Sequence, residues 1–137
     1  MSEKTILIAD DSALVLKAME FRIKSAGYRV VTAIDPSEAM AKVRTEKPDA
    51  IIMDINFPPD VGFGGGGAWD GFRILEWMKL NDSMGDAIPF IITGEDLEKY
   101  KAKAEAAGVK GIFHKPVDTK ALLAKIEECL EEPTPAG

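Results

Sequence analysis

The chain has 137 residues, a length that suits one domain around a single core. At 46% hydrophobic and 29% charged it is not a disordered polymer, and no apolar run approaches the ~20 residues of a membrane span. A formal charge of −6 with no basic cluster argues against direct nucleic-acid binding, and the single cysteine, Cys129, excludes an internal disulfide.

Apolar runs alternate with helical periodicity along the chain. TILIAD (5–10) reads as a buried strand ending on Asp10, with Asp11 beside it. SALVLKAMEFRIKSAG (12–27) has helical spacing, with Ser12 as cap and Gly27 as terminator. Its expected inward face is Val15, Met19, Arg22 and Ala26, flanked by Ala18 and Ile23. Leu14, Leu16 and Phe21 widen the apolar arc, which fits either a broader core or a partner surface. YRVVTA (28–33) is β-branched and strand-like, and DPSEAMAKVRTEK (35–47) runs helically to the Pro48 breaker. AIIMD (50–54) is a third strand that carries a carboxylate, Asp54, to its tip. GFRILEWMKL (71–80) is a third helix with Ile74, Leu75 and Met78 inward. IPFIIT (88–93) is a fourth strand, LEKYKAKAEAAG (97–108) a fourth helix with a thin apolar stripe, and VKGIFH (109–114) holds a fifth strand. DTKALLAKIEECLEE (118–132) is a fifth helix with Leu122, Ile126, Cys129 and Leu130 spaced for burial. One domain over 1–132 with a frayed tail, 133–137, is expected.

Five βα units with near-continuous apolar strands imply an α/β fold, a doubly wound parallel sheet with helices on both faces. Ligands in such sheets bind at the carboxyl ends of the strands. The tip residues are Asp10, Asp11, Asp54, Thr93 and Lys115. Mg²⁺ takes oxygen ligands and keeps several waters, so Asp10, Asp11 and Asp54 could hold it together. Lys115 would offset carboxylate repulsion and contact a phosphate, and the Thr93 hydroxyl could donate to a phosphoryl oxygen. A carboxylate can attack phosphorus and form an acyl phosphate. The set therefore has a role for each member in phosphoryl transfer to Asp54.

These positions resemble the receiver domain of bacterial response regulators. The matching motifs are ADDS (9–12), IIMDINFP (51–58), DGFRIL (70–75), IITGE (91–95) and HKP (114–116), and the likeness covers about residues 4 to 131. The resemblance implies a flavodoxin-like sheet in the order 2-1-3-4-5. It implies Asp54 as phosphoacceptor, served by a histidine kinase or phosphotransfer protein. Asp10 and Asp11 would be metal acids, beside Asp54 and the backbone carbonyl of Asn56, with Mg²⁺ as the cofactor. Thr93 and Lys115 would be the pair that moves onto the phosphoryl group, with a cis bond before Pro116. Asn56 and Glu95 would tune hydrolysis of the acyl phosphate toward a short-lived mark. A cytoplasmic monomer or weak dimer is expected, acting on a downstream protein with no membrane or nucleic-acid contact and without enzymatic turnover. DNA binding would need an effector domain beyond these residues.

Two features depart from that pattern. PDVGFGGGGAW (59–69) intervenes before the third helix, and reads either as a surface insertion or as a lid anchored by Phe57, Phe63 and Trp69. The aromatic residue usual three places before the lysine is here Ile112, with Phe113 next to it, which puts the usual aromatic switch in doubt. His114 reads as a strand-end residue, Cys129 as a buried thiol and Tyr100 as packing. Two other functions fit the fold: a phosphate-independent binding module, which the complete acid, hydroxyl and lysine set disfavours, and a Mg²⁺-dependent phosphohydrolase. The latter commonly needs a second acid near the nucleophile, and Asn56 cannot serve as one.

Overall fold

The computed structural model describes residues 4–55, 71–80 and 85–130. Asn56, the 59–69 segment with its neighbouring aromatics, and the 133–137 tail lie outside the described residues. The strands are β1 (Thr5–Ala9), β2 (Arg29–Ala33), β3 (Ala50–Asp54), β4 (Ile88–Thr93) and β5 (Gly111–His114). The helices are α1 (Ala13–Ser25), α2 (Pro36–Glu46), α3 (Gly71–Leu80), α4 (Lys101–Ala106) and α5 (Thr119–Leu130). All pairings are parallel, in the order β2-β1-β3-β4-β5. The expected fold class and strand order are therefore present.

The strand sequences explain the layering. Successive side chains point to opposite faces, so a run such as ILIA serves both. Leu7, Ala9, Ile51, Met53 and Ile91 join a core with α2, α3 and α4 residues such as Met40, Leu75 and Ala104. Ile6, Ile8, Ile52, Phe90 and Ile92 join a second core with α1 and α5, through Leu16, Met19, Ile23, Leu122 and Ile126. Every residue of β1 and β3 is buried, as two-sided cover requires. No described helix is long and apolar enough to cross a membrane.

Local signals set the helix ends. The Ser12 hydroxyl accepts the Val15 N–H at 3.3 Å, and the Asp35 carboxylate accepts the Glu38 N–H at 2.8 Å with Pro36 in the first turn. Gly27, at φ 103°, lets α1 close with bonds from the Gly27 and Tyr28 N–H groups to Lys24 and Ile23 carbonyls.

Two expectations need correction. The inward face of α1 is Leu16, Met19 and Ile23; Val15 is half-buried, and Ala18, Arg22 and Ala26 are exposed. The helix offers two apolar stripes, and the sheet takes the one bearing the larger side chains. Leu14 and Phe21 are consequently on the surface, 80% and 73% exposed. The fourth helix is also not one unit over 97–108. A 3₁₀ turn, Leu97–Lys99, precedes α4, and Tyr100 stands between them. Ala104 alone is buried along α4, too little packing to hold a long regular helix.

The two faces of α1 give a direct test. Ile23→Ala should cost about 2–5 kcal/mol in urea unfolding, as deletion of a fully buried side chain does. Phe21→Ala should stay within about 0.5 kcal/mol of the parent, as an exposed site does.

Candidate functional site

The carboxyl edge of the sheet gathers charge. Asp10 follows β1, and its N–H donates to the Ala33 carbonyl at 3.0 Å, so it leaves the sheet still tied to β2. Its Oδ1 accepts the Ser12 N–H at 2.8 Å, which fixes the turn into α1. Asp11 is exposed beside it. Asp54 is the last residue of β3, and the next N–H, from Ile55, reaches the Ile92 carbonyl at 3.0 Å. Pairing with β4 thus runs past the acid. One oxygen from each of Asp10, Asp11 and Asp54 lies within 4.8 Å of the others.

The cation of the site comes from the far side of β4. Thr93 ends β4 fully buried, and its carbonyl accepts the Lys115 N–H at 2.8 Å. That bond sets the backbone of Lys115, whose peptide to Pro116 is cis as expected. The ammonium lies 2.7 Å from Asp10 Oδ2 and 3.2 Å from Asp54 Oδ2. Burying two carboxylates is costly unless they are paired, and one lysine here serves both. Burial is the largest single influence on Lys115 and pulls its pKa down. Bonding and charge from Asp10 and Asp54 together outweigh it, so the net value lies above the ordinary 10.5. The stabilisation from this group is complete below pH 10.5 and is lost as pH rises through the raised value.

The donor set suits a divalent cation. Ligand oxygens on an octahedral Mg²⁺, at about 2.1 Å from the ion, stand about 3–4 Å apart, so the three acids can share one ion. Among the described residues, three carboxylates and one ammonium leave an excess of negative charge at the site. Asp10 Oδ2 is also buried without an aligned hydrogen bond, since its contact with Lys115 is a close ion pair. A buried carboxylate whose ligand oxygens lie close to those of two other acids is what a cation would satisfy. Asp10, Asp11 and Asp54 are thus brought together as expected, with Lys115 against two of them. Thr93 stands at the adjoining strand tip, and Asn56 lies outside the described residues.

The remaining candidates also find places. Ile112 is half-buried on the α4 side of the sheet, while Phe113 packs on the α1–α5 side. Strand alternation therefore prevents Phe113 from standing in for an aromatic at 112. His114 is exposed at the end of β5, and Cys129 is half-buried against the second core. Tyr100 does pack, as expected, but its hydroxyl also donates to Glu95 at 2.9 Å.

One residue in a quoted motif carried no assigned role. Gly71 opens α3, and a Cβ there would stand 2.6 Å from the Asp54 carbonyl oxygen and 3.0 Å from Met53 Cγ. Its N–H donates to the Ile55 carbonyl at 2.9 Å. The helix start is thus pressed onto the peptide of the strand-tip acid, which only a residue without a side chain allows. The DG pair in the sequence was the available signal. Gly71→Ala should lose about 1–3 kcal/mol in urea unfolding, overpacking outweighing the better helix propensity of alanine. Gly94→Ala, with open space around its Cβ, should change stability by less than about 0.5 kcal/mol. Equal effects would contradict this packing account.

Comparison with known proteins agrees with this geometry. The response regulator receiver domain model matches residues 6–127. Protein PilH of Pseudomonas aeruginosa is 32% identical, over 91% of this chain and 96% of its own. The alkaline phosphatase synthesis transcriptional regulatory protein PhoP of Bacillus subtilis is 27% identical over 93% of this chain, which spans only 48% of that longer protein. The chemotaxis protein CheY4 of Vibrio cholerae superposes with a TM-score of 0.79 at 26% identity, covering 94% of this chain and 100% of that one. An acid-lined strand edge, the strand order and a match along nearly the whole chain place this protein in the response regulator receiver domain family.

Proposed function

We propose that the protein is a phosphorylation-controlled signalling switch in which Asp54 accepts a phosphoryl group from a histidine kinase or histidine phosphotransfer protein. The observation that carries the reading is the buried Asp54 carboxylate, grouped with Asp10 and Asp11 and held by Lys115 at 3.2 Å. Membership of the receiver domain family supports it.

In this reading an Asp54 carboxylate oxygen forms a bond to phosphorus as the donor's phosphorus–nitrogen bond breaks. The electron pair stays on the imidazole nitrogen of the donor. A Mg²⁺ held by Asp10, Asp11, Asp54 and the Asn56 carbonyl would neutralise charge on the transferring group. Lys115 is already in place, and its ammonium can shift from the carboxylates to a phosphoryl oxygen without leaving the site. Its raised pKa keeps it protonated at neutral pH. The Thr93 hydroxyl, at the adjoining strand tip, supplies a neutral donor to another phosphoryl oxygen. Phosphorylation adds charge of about −2 next to these donors, enough to draw both toward it.

The output is a changed surface read by another protein, in the cytoplasm, by a monomer or weak dimer. Asp54 is consumed and restored by hydrolysis of the acyl phosphate, with Asn56 and Glu95 setting its rate, so no substrate is turned over in the enzymatic sense. Incubation with Mg²⁺ and acetyl phosphate should add one phosphoryl group by intact-mass measurement. Asp54→Asn should abolish it, and chelation of Mg²⁺ should reduce it at least about tenfold. Labelling that survives Asp54→Asn would overturn the assignment.

A further inference from the structure

Thr93 does not stand alone at its strand tip. Its Oγ1 accepts the Glu95 N–H at 3.0 Å. A threonine has few side-chain rotamers, and this bond selects among them. The Glu95 side chain is in turn held at both ends of its carboxylate. Oε2 accepts the Tyr100 hydroxyl at 2.9 Å and Oε1 accepts the Lys99 ammonium at 3.0 Å. Two donors from the 3₁₀ corner thus anchor the residue whose backbone anchors Thr93.

Tyr100 is itself firmly seated. Its ring lies 6.0 Å from that of Phe72 on α3, and it packs on the same core as Ile112 of β5. Lys99 lies 5.4 Å from the Tyr100 ring centroid. Burial and the Glu95 carboxylate both raise the pKa of the phenol, so it remains a donor well past neutral pH. The hydroxyl is therefore a donor at neutral pH, on an aromatic ring that packs beside Phe72 of α3.

We propose that Tyr100 is a positioning residue for Thr93: by holding Glu95 it keeps the Thr93 hydroxyl in its resting place, so that the site and the Tyr100 corner move as one unit. The proposal rests on Asp54 being the phosphoacceptor. When a phosphoryl group draws the Thr93 hydroxyl, the Glu95 N–H loses that acceptor or the 93–95 turn shifts with it. Either change pulls Glu95 against its bonds to Tyr100 and Lys99. The coupling is reciprocal, so weakening the Tyr100–Glu95 bond must favour the phosphorylated arrangement by the factor with which phosphorylation weakens that bond. Tyr100 also packs on the same core as Ile112, whose side chain has no hydroxyl and few rotamers.

The test compares the full chain with Tyr100→Phe, which keeps the ring and removes only the hydroxyl. Both are titrated with beryllofluoride, a phosphoryl mimic, in the presence of Mg²⁺, by calorimetry. The parent carries a ¹³C label on its tyrosine rings so that Tyr100 is followed by NMR. The variant should bind the mimic about fivefold more tightly, and the Tyr100 signal of the parent should shift on saturation. A role in packing alone would leave the affinity unchanged, since Phe fills the same space. Equal affinities, or a Tyr100 signal that does not move, would overturn the proposal while leaving Asp54 as acceptor. A parent that binds no mimic would bring down the Asp54 reading and this proposal with it.

Discussion

Two buried carboxylates facing the Lys115 ammonium constrain the rest of this molecule. Asp10 and Asp54 are almost wholly removed from water, and Lys115 is the counter-charge in contact with both. Such an arrangement contributes little to stability, because desolvating three charged groups offsets most of their attraction. It persists because neighbouring strands run past the acids with their hydrogen bonding intact. The Asp10 N–H is tied to β2, the peptide after Asp54 to β4, and the Lys115 N–H to Thr93. The stability that carries this edge comes from the two apolar layers behind it.

The same economy of space appears where α3 meets the site. Gly71 lies so close to the Asp54 carbonyl that a side chain would not fit, and its N–H is bonded to the Ile55 carbonyl. On the other flank, two hydrogen bonds connect buried Thr93 through Glu95 to the half-buried Tyr100. Asp54 therefore has a close-packed helix start on one side and a hydrogen-bonded corner on the other. The 3₁₀ turn has no buried residue and the six-residue α4 has one.

Much of this was legible in the sequence, and for identifiable reasons. Alternating apolar strands and capped helices give the fold, because Ser12, Asp35 and Gly27 act through local backbone chemistry. Asp10, Asp54, Thr93 and Lys115 could be proposed as neighbours because parallel strands deliver their carboxyl ends to one edge. The α1 face was misjudged because that helix carries two apolar stripes, and only the sheet decides between Leu16 and Val15. The break at Tyr100 was hidden because alanine and lysine favour helix, and the missing burial shows only in three dimensions. The close approach of Gly71 and the Glu95 carboxylate shared by Tyr100 and Lys99 depend on distances that no spacing rule supplies.

The central claim is that three acids from two strand ends form one site for a divalent cation. Calorimetric titration of the parent with Mg²⁺, beside Asp10→Asn and Asp54→Asn, tests it most directly. A single binding event in the parent that either substitution removes or weakens at least about tenfold is the predicted result. Identical Mg²⁺ binding in all three proteins, or none in the parent, would contradict it.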